Sequence, residues 1–124
     1  CNKRRIVVNC ADVPECCDFH IPTTVRDGPV QISVSTSGFA PGLSRRIKKS
    51  LVASLDPSTG QAVTSCGKLR EKRKIMGVER TRRIKFMSDA QKKWNMLQWA
   101  RMKENEVEDV AGKVARGEDV APPA

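Results

Sequence analysis

The chain has 124 residues, of which 39% are hydrophobic, 30% charged and only 4% aromatic, with 23 Lys and Arg against 14 Asp and Glu. That length suits one compact domain or two small pieces, and with Tyr absent the core falls mainly to Val, Ile, Leu, Met and Ala. No apolar run approaches the roughly 18 residues needed to cross a bilayer, and the short run behind the basic start is too brief for a secretory signal, which disfavours membrane spanning and export.

The five cysteines, Cys1, Cys10, Cys16, Cys17 and Cys66, are odd in number and contain no C-x-x-C pair. They read as reduced thiols of a cytoplasmic protein rather than as a disulfide framework. His20, the single histidine, completes no zinc spacing, so no stable metal site is expected. The chain opens on Cys1 rather than Met and is read as part of a longer polypeptide. Its charge is divided unevenly: Lys68 to Lys103 holds 13 basic and 3 acidic residues, the rest 10 basic and 11 acidic. Such a segment attracts phosphates or polycarboxylates, or it is simply the solvated face of helices.

In chain order, Arg5 to Cys10 (RIVVNC) is a β-branched run without alternation, as in a strand covered on both faces. Asp12 then sits just past the carboxyl end of that strand, where α/β sheets commonly hold ligands. Phe19 to Arg26 reads as extended and ends at the turn signal Asp27-Gly28-Pro29. Val30 to Ser35 alternates, with Val30, Ile32 and Val34 on one face, and pairs with the preceding segment as a hairpin. A hairpin alone is marginal, so a covering surface is implied.

Thr36-Ser37-Gly38-Phe39-Ala40-Pro41 leads from strand to helix through hydroxyls, a glycine and a proline suited to a first helical turn. The loop either caps its own helix or offers donors to an anion. Leu43, Ile47 and Leu51 recur every four residues between basic ones, predicting an amphipathic helix from Pro41 to about Leu55, ended by Asp56-Pro57. Thr59, Val63, Cys66 and Leu69 trace a second stripe, and Phe86, Ala90, Trp94 and Leu97 a third beyond Gly77, as in a helical bundle. From Glu104 a short helix at most is expected, followed by disorder.

Neither a glycine-rich dinucleotide fingerprint nor a G-x-x-x-x-G-K-[ST] loop occurs, and no G-x-S-x-G elbow accompanies Asp12 and His20. A nucleic-acid reading rests on the basic segment with Phe86, Trp94 and Trp99 spread through it, although their spacing fits a buried stripe better than a stacking platform.

The stretch VVNCADVPECCDFHIPTTVRDGPVQISVSTSGFAPGLSRRI resembles the siroheme-synthase family, its fungal members most closely. The resemblance rests on Asn9 and Asp12 in N-x-x-D, on Phe19, Pro22, Arg26 and Pro29, on Ser35-Thr36-Ser37-Gly38, and on Pro41-Gly42-Leu43-Ser44-Arg45; CGKLREKRKIMGVERTRRIKF extends it. It implies an α+β chain: residues 1–18 closing an NAD-binding Rossmann domain, 19–57 a dimerisation region with hairpin and helix, 58–110 a helical domain, and 111–124 a flexible tail. The NAD loop is then expected before Cys1.

The implied activities are NAD-dependent dehydrogenation of precorrin-2 to sirohydrochlorin and insertion of Fe2+, as substrate, to give siroheme. The implied assembly is a homodimer, with no nucleic acid or membrane as partner. The family's essential aspartate falls on Asp12, where a carboxylate facing the macrocycle serves proton transfer. Asn9, Thr36, Ser37, Gly38, Arg45 and Arg46 are the implied contacts to the macrocycle and its many carboxylates. His20 reads as structural. Cys10, Cys16 and Cys17 suit at most a transient contact with iron.

Overall fold

A computed structural model describes residues 2–4 and 6–123, so Cys1 and Arg5, the latter the start of the first expected strand, lie outside the described residues. The elements run as two 3-10 turns (Asn2–Arg4 and Pro14–Cys16), strands β1 (Thr23–Asp27) and β2 (Val30–Val34), and helices α1 (Pro41–Ala53), α2 (Thr59–Ile75), α3 (Arg80–Lys93), α4 (Met96–Arg101) and α5 (Glu104–Arg116). Two compact units result, one comprising the residues up to Arg26 with Gln31–Leu55, the other Asp27–Val30 with the residues from Asp56 onward.

Strands β1 and β2 form a two-stranded sheet, antiparallel because only Gly28 and Pro29 join them; most of both strands belongs to the first unit and the tip Asp27–Val30 to the second. Gly28 takes φ +55° at the first central position of that turn, where a side chain is disfavoured and where Pro29, fixed at negative φ, has no place. The alternation read from the sequence holds: Val30, Ile32 and Val34 are half-buried while Gln31 and Ser33 are exposed. Thr24 and Ser33 pair their hydroxyls across the strands at 3.1 Å, and Lys48 of α1 donates to the Thr24 carbonyl at 3.5 Å. The α1 stripe remains open, with Leu43, Ile47 and Leu51 52%, 46% and 44% exposed.

Ile6 to Cys10 forms no strand and has no strand beside it among the described residues. A ladder needs a neighbour, and without one Ile6 and Val7 are exposed rather than covered.

The second unit holds the core. α2 packs on α4 and α5, and its buried residues include the small Ala62 and Ser65, followed by Leu69. Of the expected stripe, Thr59 and Leu69 are buried and Cys66 packs against the core, whereas Val63 is 40% exposed and Arg73, with no exposed surface, takes the next inward place after Leu69.

The third stripe is broken. Trp94 is extended (φ −91°, ψ 132°), and α4 restarts with Asn95 and Gln98 capping each other through 2.9 Å and 2.8 Å bonds, which leaves Leu97 exposed. The turn brings the Trp94 and Trp99 rings to 4.7 Å, with Phe86 edge-on to Trp94 at 6.0 Å. Both tryptophans thus join a core expected to be aliphatic, whereas Ile75 and Ile84 lie outside it. α5 is longer than expected, running to Arg116 with Val107, Val110, Ala111 and Val114 buried, and Gly117 ends it at φ +81°.

Candidate functional site

The first unit contains Asn9, Asp12, Thr36, Ser37, Gly38, Arg45 and Arg46, the residues expected to meet the macrocycle. Its N-terminal part closes into a loop around Asp12. The Asp18 amide donates to the Val8 carbonyl at 2.8 Å, the Val8 amide to the Asp18 carboxylate at 2.9 Å, and the Asn9 side-chain amide to the Phe19 carbonyl at 2.8 Å. Cys17 fastens the interior of the loop, its sulfur accepting from the Cys10 amide at 3.2 Å while the thiol lies 3.2 Å from the Cys10 carbonyl and 3.5 Å from that of Val13.

At the apex Asp12 takes φ +60°, the left-handed region that short polar side chains enter more readily than others. Its side chain is exposed. The turn that follows is entered by Val13 without a side-chain cap, and no hydrogen bond engages the Asp12 carboxylate among the described residues. The local capping role that an aspartate before Val13-Pro14 suggests is therefore not adopted. Asn9, by contrast, spends its amide on the loop itself.

The second loop joins β2 to α1. Ser37 and Gly38 both have positive φ, 50° and 81°. The Ser35 hydroxyl accepts from the Ser37 amide at 3.1 Å, the Thr36 hydroxyl from the Ala40 amide at 3.3 Å, and the Thr36 carbonyl from the Phe39 amide at 2.9 Å. Thr36 thus supports the entrance to α1, while Pro41 supplies the first helical residue and Ser44 bonds back to the Pro41 carbonyl at 2.8 Å. Arg45 and Arg46 follow on α1, exposed and without a carboxylate within salt-bridge distance among the described residues.

His20 connects the two loops. It follows Phe19, which Asn9 holds, and its imidazole lies so close to Gly38 that a Cβ there would stand 3.1 Å from Cε1. The imidazole thus packs beside Gly38, as a structural role for His20 requires. The signal for it was available in sequence only as a glycine of unknown use in the 35–40 loop. No three His, Cys, Asp or Glu side chains converge as metal ligands among the described residues. Phe86 is half-buried and Trp94 and Trp99 are 5% and 4% exposed, so the aromatic surface that the nucleic-acid reading requires lies inside the helical core.

Comparison with known proteins points in one direction. Residues 27–54 match the family model described as "Sirohaem biosynthesis protein central". The siroheme biosynthesis protein met8 of Schizosaccharomyces pombe is 35% identical over 115 residues, covering 90% of this chain and 44% of that protein. Siroheme synthase 1 of Aeromonas hydrophila is 35% identical over 82 residues, covering 66% of this chain and 18% of the relative. Among solved structures, one titled "SirC, precorrin-2 dehydrogenase" superposes with a TM-score of 0.61 at 19% identity over 80% of this chain and 47% of its own, a likeness of fold. The chain spans less than half the length of these curated relatives.

Proposed function

We propose, from the premise that this chain belongs to the siroheme synthase and precorrin-2 dehydrogenase family, that its Asp12 loop, its 35–40 loop and the first turns of α1 form part of a tetrapyrrole site serving siroheme biosynthesis. One observation carries the reading: an exposed carboxylate at a left-handed apex, unengaged by its own turn, on a loop that Asn9, Phe19 and His20 link to the Gly38 loop.

Both proposed reactions release protons from the macrocycle. Conversion of precorrin-2 to sirohydrochlorin removes one together with a hydride. Insertion of Fe2+ displaces two pyrrole N–H protons as the metal–nitrogen bonds form. Asp12 is the acceptor in each case, taking the protons one at a time and passing each to solvent, and a positioned carboxylate contributes on the order of 10²–10⁴-fold to such a step. Arg45 and Arg46 bind macrocycle carboxylates through charge-assisted hydrogen bonds, and Thr36, Ser37 and Gly38 shape the edge they meet. No glycine-rich phosphate loop follows a strand in this chain, so its residues do not hold the phosphates of a dinucleotide, and the proposed part of Asp12 is confined to protons.

In this reading residues 1–18 complete a dinucleotide-binding domain, 19–57 form the dimerisation region and 58–110 the helical domain, whose last helix runs on to Arg116 into the stretch expected to be a flexible tail. A homodimer covers the open stripe of Leu43, Ile47 and Leu51, and the reduced cysteines agree with a cytoplasmic setting. No helix among the described residues is long and apolar enough to cross a membrane.

The test is siroheme formation from sirohydrochlorin and Fe2+, followed by absorbance, for the full-length protein and its Asp12→Asn variant, with precorrin-2 and NAD supplied in a parallel assay. The variant is expected to retain tetrapyrrole binding and to lose about 10²-fold or more in rate. Equal rates remove Asp12 from the mechanism; inactivity of the wild type in both assays overturns the assignment.

A further inference from the structure

A second feature lies wholly within the helical unit and stands apart from the tetrapyrrole reading. The later turns of α2 and the length of α3 border a groove of about 820 Å³, within the range of small-molecule sites. Arg70, Arg73, Lys74, Arg80, Arg83 and Lys92 line it, against a single acidic residue, Glu71, whose carboxylate stands 4.0 Å from Lys74. Arg70 and Lys74 are one turn apart on α2, and Arg80 and Arg83 share one face at the start of α3, so the cations converge by helical register rather than by chance of composition.

A solvated basic face would place all of these charges in water. Arg73 departs from that pattern, being wholly buried while still part of the groove lining. Its Nε donates to the Leu69 carbonyl at 3.4 Å and Nη1 to the Arg83 carbonyl at 3.2 Å, and the guanidinium lies 5.0 Å from the centre of the Phe86 ring. Nη2 is buried and has no hydrogen-bond partner among the described residues. Among the described residues no carboxylate lies within salt-bridge distance of it. Burial, with the neighbouring charge of Arg83, pulls the group down to about 10, which still leaves it cationic at neutral pH. A buried cation surrounded by further cations is an arrangement completed by an anion.

The helix end is not the attraction. The first amides of α3, those of Thr81 and Arg82, already donate to the Glu79 carboxylate at 2.9 Å and 3.0 Å. An anion in this groove therefore meets side chains, chiefly guanidinium groups, whose planar forks match carboxylate and phosphate oxygens. Ile84 and Met87 add apolar wall to the same space.

We propose that the groove between α2 and α3 binds a small polyanion, two or more carboxylate or phosphate groups on a partly apolar frame, held by Arg70, Arg80 and Arg83 beside the buried charge of Arg73. Carboxylate and phosphate share the chemistry of recognition, and the test separates them. The whole chain is titrated calorimetrically at near-physiological salt with pyrophosphate, with an octacarboxylate porphyrin, and with a single-stranded oligonucleotide. The variants are Arg70→Gln/Arg80→Gln in the groove, Lys68→Gln/Lys113→Gln outside it, and Arg45→Gln/Arg46→Gln on α1, each checked for an unchanged melting transition.

Saturable binding of pyrophosphate or porphyrin, weakened about tenfold or more by the groove pair and unchanged by the Lys68/Lys113 pair, is the expected result. The probe that binds identifies the phosphate or the carboxylate source. Loss confined to the α1 pair assigns the binding to the tetrapyrrole reading and overturns this one. So does saturation by neither probe, equal loss in the groove and outside pairs, or a preference for the oligonucleotide.

Discussion

The amide of Gly60 donates a 2.8 Å hydrogen bond to the carboxylate of Asp27, a residue of the hairpin tip thirty-three positions earlier. Gly60 lies in the first turn of α2, where amides lack intrahelical partners and a negative charge is favoured. A Cβ at position 60 would overlap the carboxylate itself. Asp27→Ala is expected to cost ~1 kcal/mol, as other losses of a helix cap do. Gly60→Ala is expected to cost about 2 kcal/mol, because the added methyl both removes the bond and displaces the side chain. Urea midpoints of the two single variants and the double variant check this: with Asp27 already truncated, Gly60→Ala should do little further harm.

His20 and Gly38 form a second close pair, in the unit that holds the candidate site. Gly38 has φ +81° and the imidazole occupies the space beside it, so Gly38→Ala meets both backbone strain and a 3.1 Å contact. A destabilisation of about 1–2 kcal/mol is expected. In the double variant with His20→Ala the steric part of that cost disappears and the strain remains, giving a coupling that a double-mutant cycle reads directly.

Trp94 occupies the break between α3 and α4, packed between Phe86 and Trp99. Trp94→Ala should remove about 3–5 kcal/mol of stability and abolish most near-ultraviolet circular dichroism. Leu97→Ala, at a position the periodicity placed in the same stripe but the fold leaves exposed, should change stability by less than about 0.5 kcal/mol. Comparable losses at the two positions would contradict the broken helix.

The Glu79 carboxylate accepts from the amides of Thr81 and Arg82, and these bonds hold its pKa below the ordinary 4.5. A carboxyl depressed in the folded state stabilises above its unfolded value, and that contribution fades as the pH falls through the folded value. Glu79→Gln should therefore lower the melting temperature at neutral pH, and its melting curve should depend less on pH below 4.5 than the wild type's. The two proteins should converge once the wild-type carboxyl is protonated, a trend that melts recorded from neutral to strongly acid pH will display.

Much of this chain was legible without coordinates, because local rules sufficed. Alternation at Val30, Ile32 and Val34, a turn at Gly28 and Pro29, the helix start at Pro41 and the stop near Asp56-Pro57 are properties of neighbouring residues, and all are in place. So is the residue pattern from Asn9 to Arg45 that marks the family. The tryptophan break had a local signal too, in the reciprocal cap of Asn95 and Gln98, but the apolar stripe through Phe86, Ala90 and Leu97 outweighed it.

What tertiary structure decided was which surfaces find a partner. Ile6 and Val7 have the composition of a covered strand yet are exposed, because burial belongs to a pair of elements and no second strand lies beside them among the described residues. Arg73 has the composition of a surface residue yet is wholly buried, because two backbone carbonyls and the Phe86 ring, up to thirteen residues away along the chain, converge on its guanidinium. The length, charge and patterning of the chain determined its helices, its hairpin and its family. The packing of α4 and α5 on α2 determined its core, and folding alone gathered dispersed arginines into a groove, since hydrophobic periodicity describes one element at a time and a site is made by several.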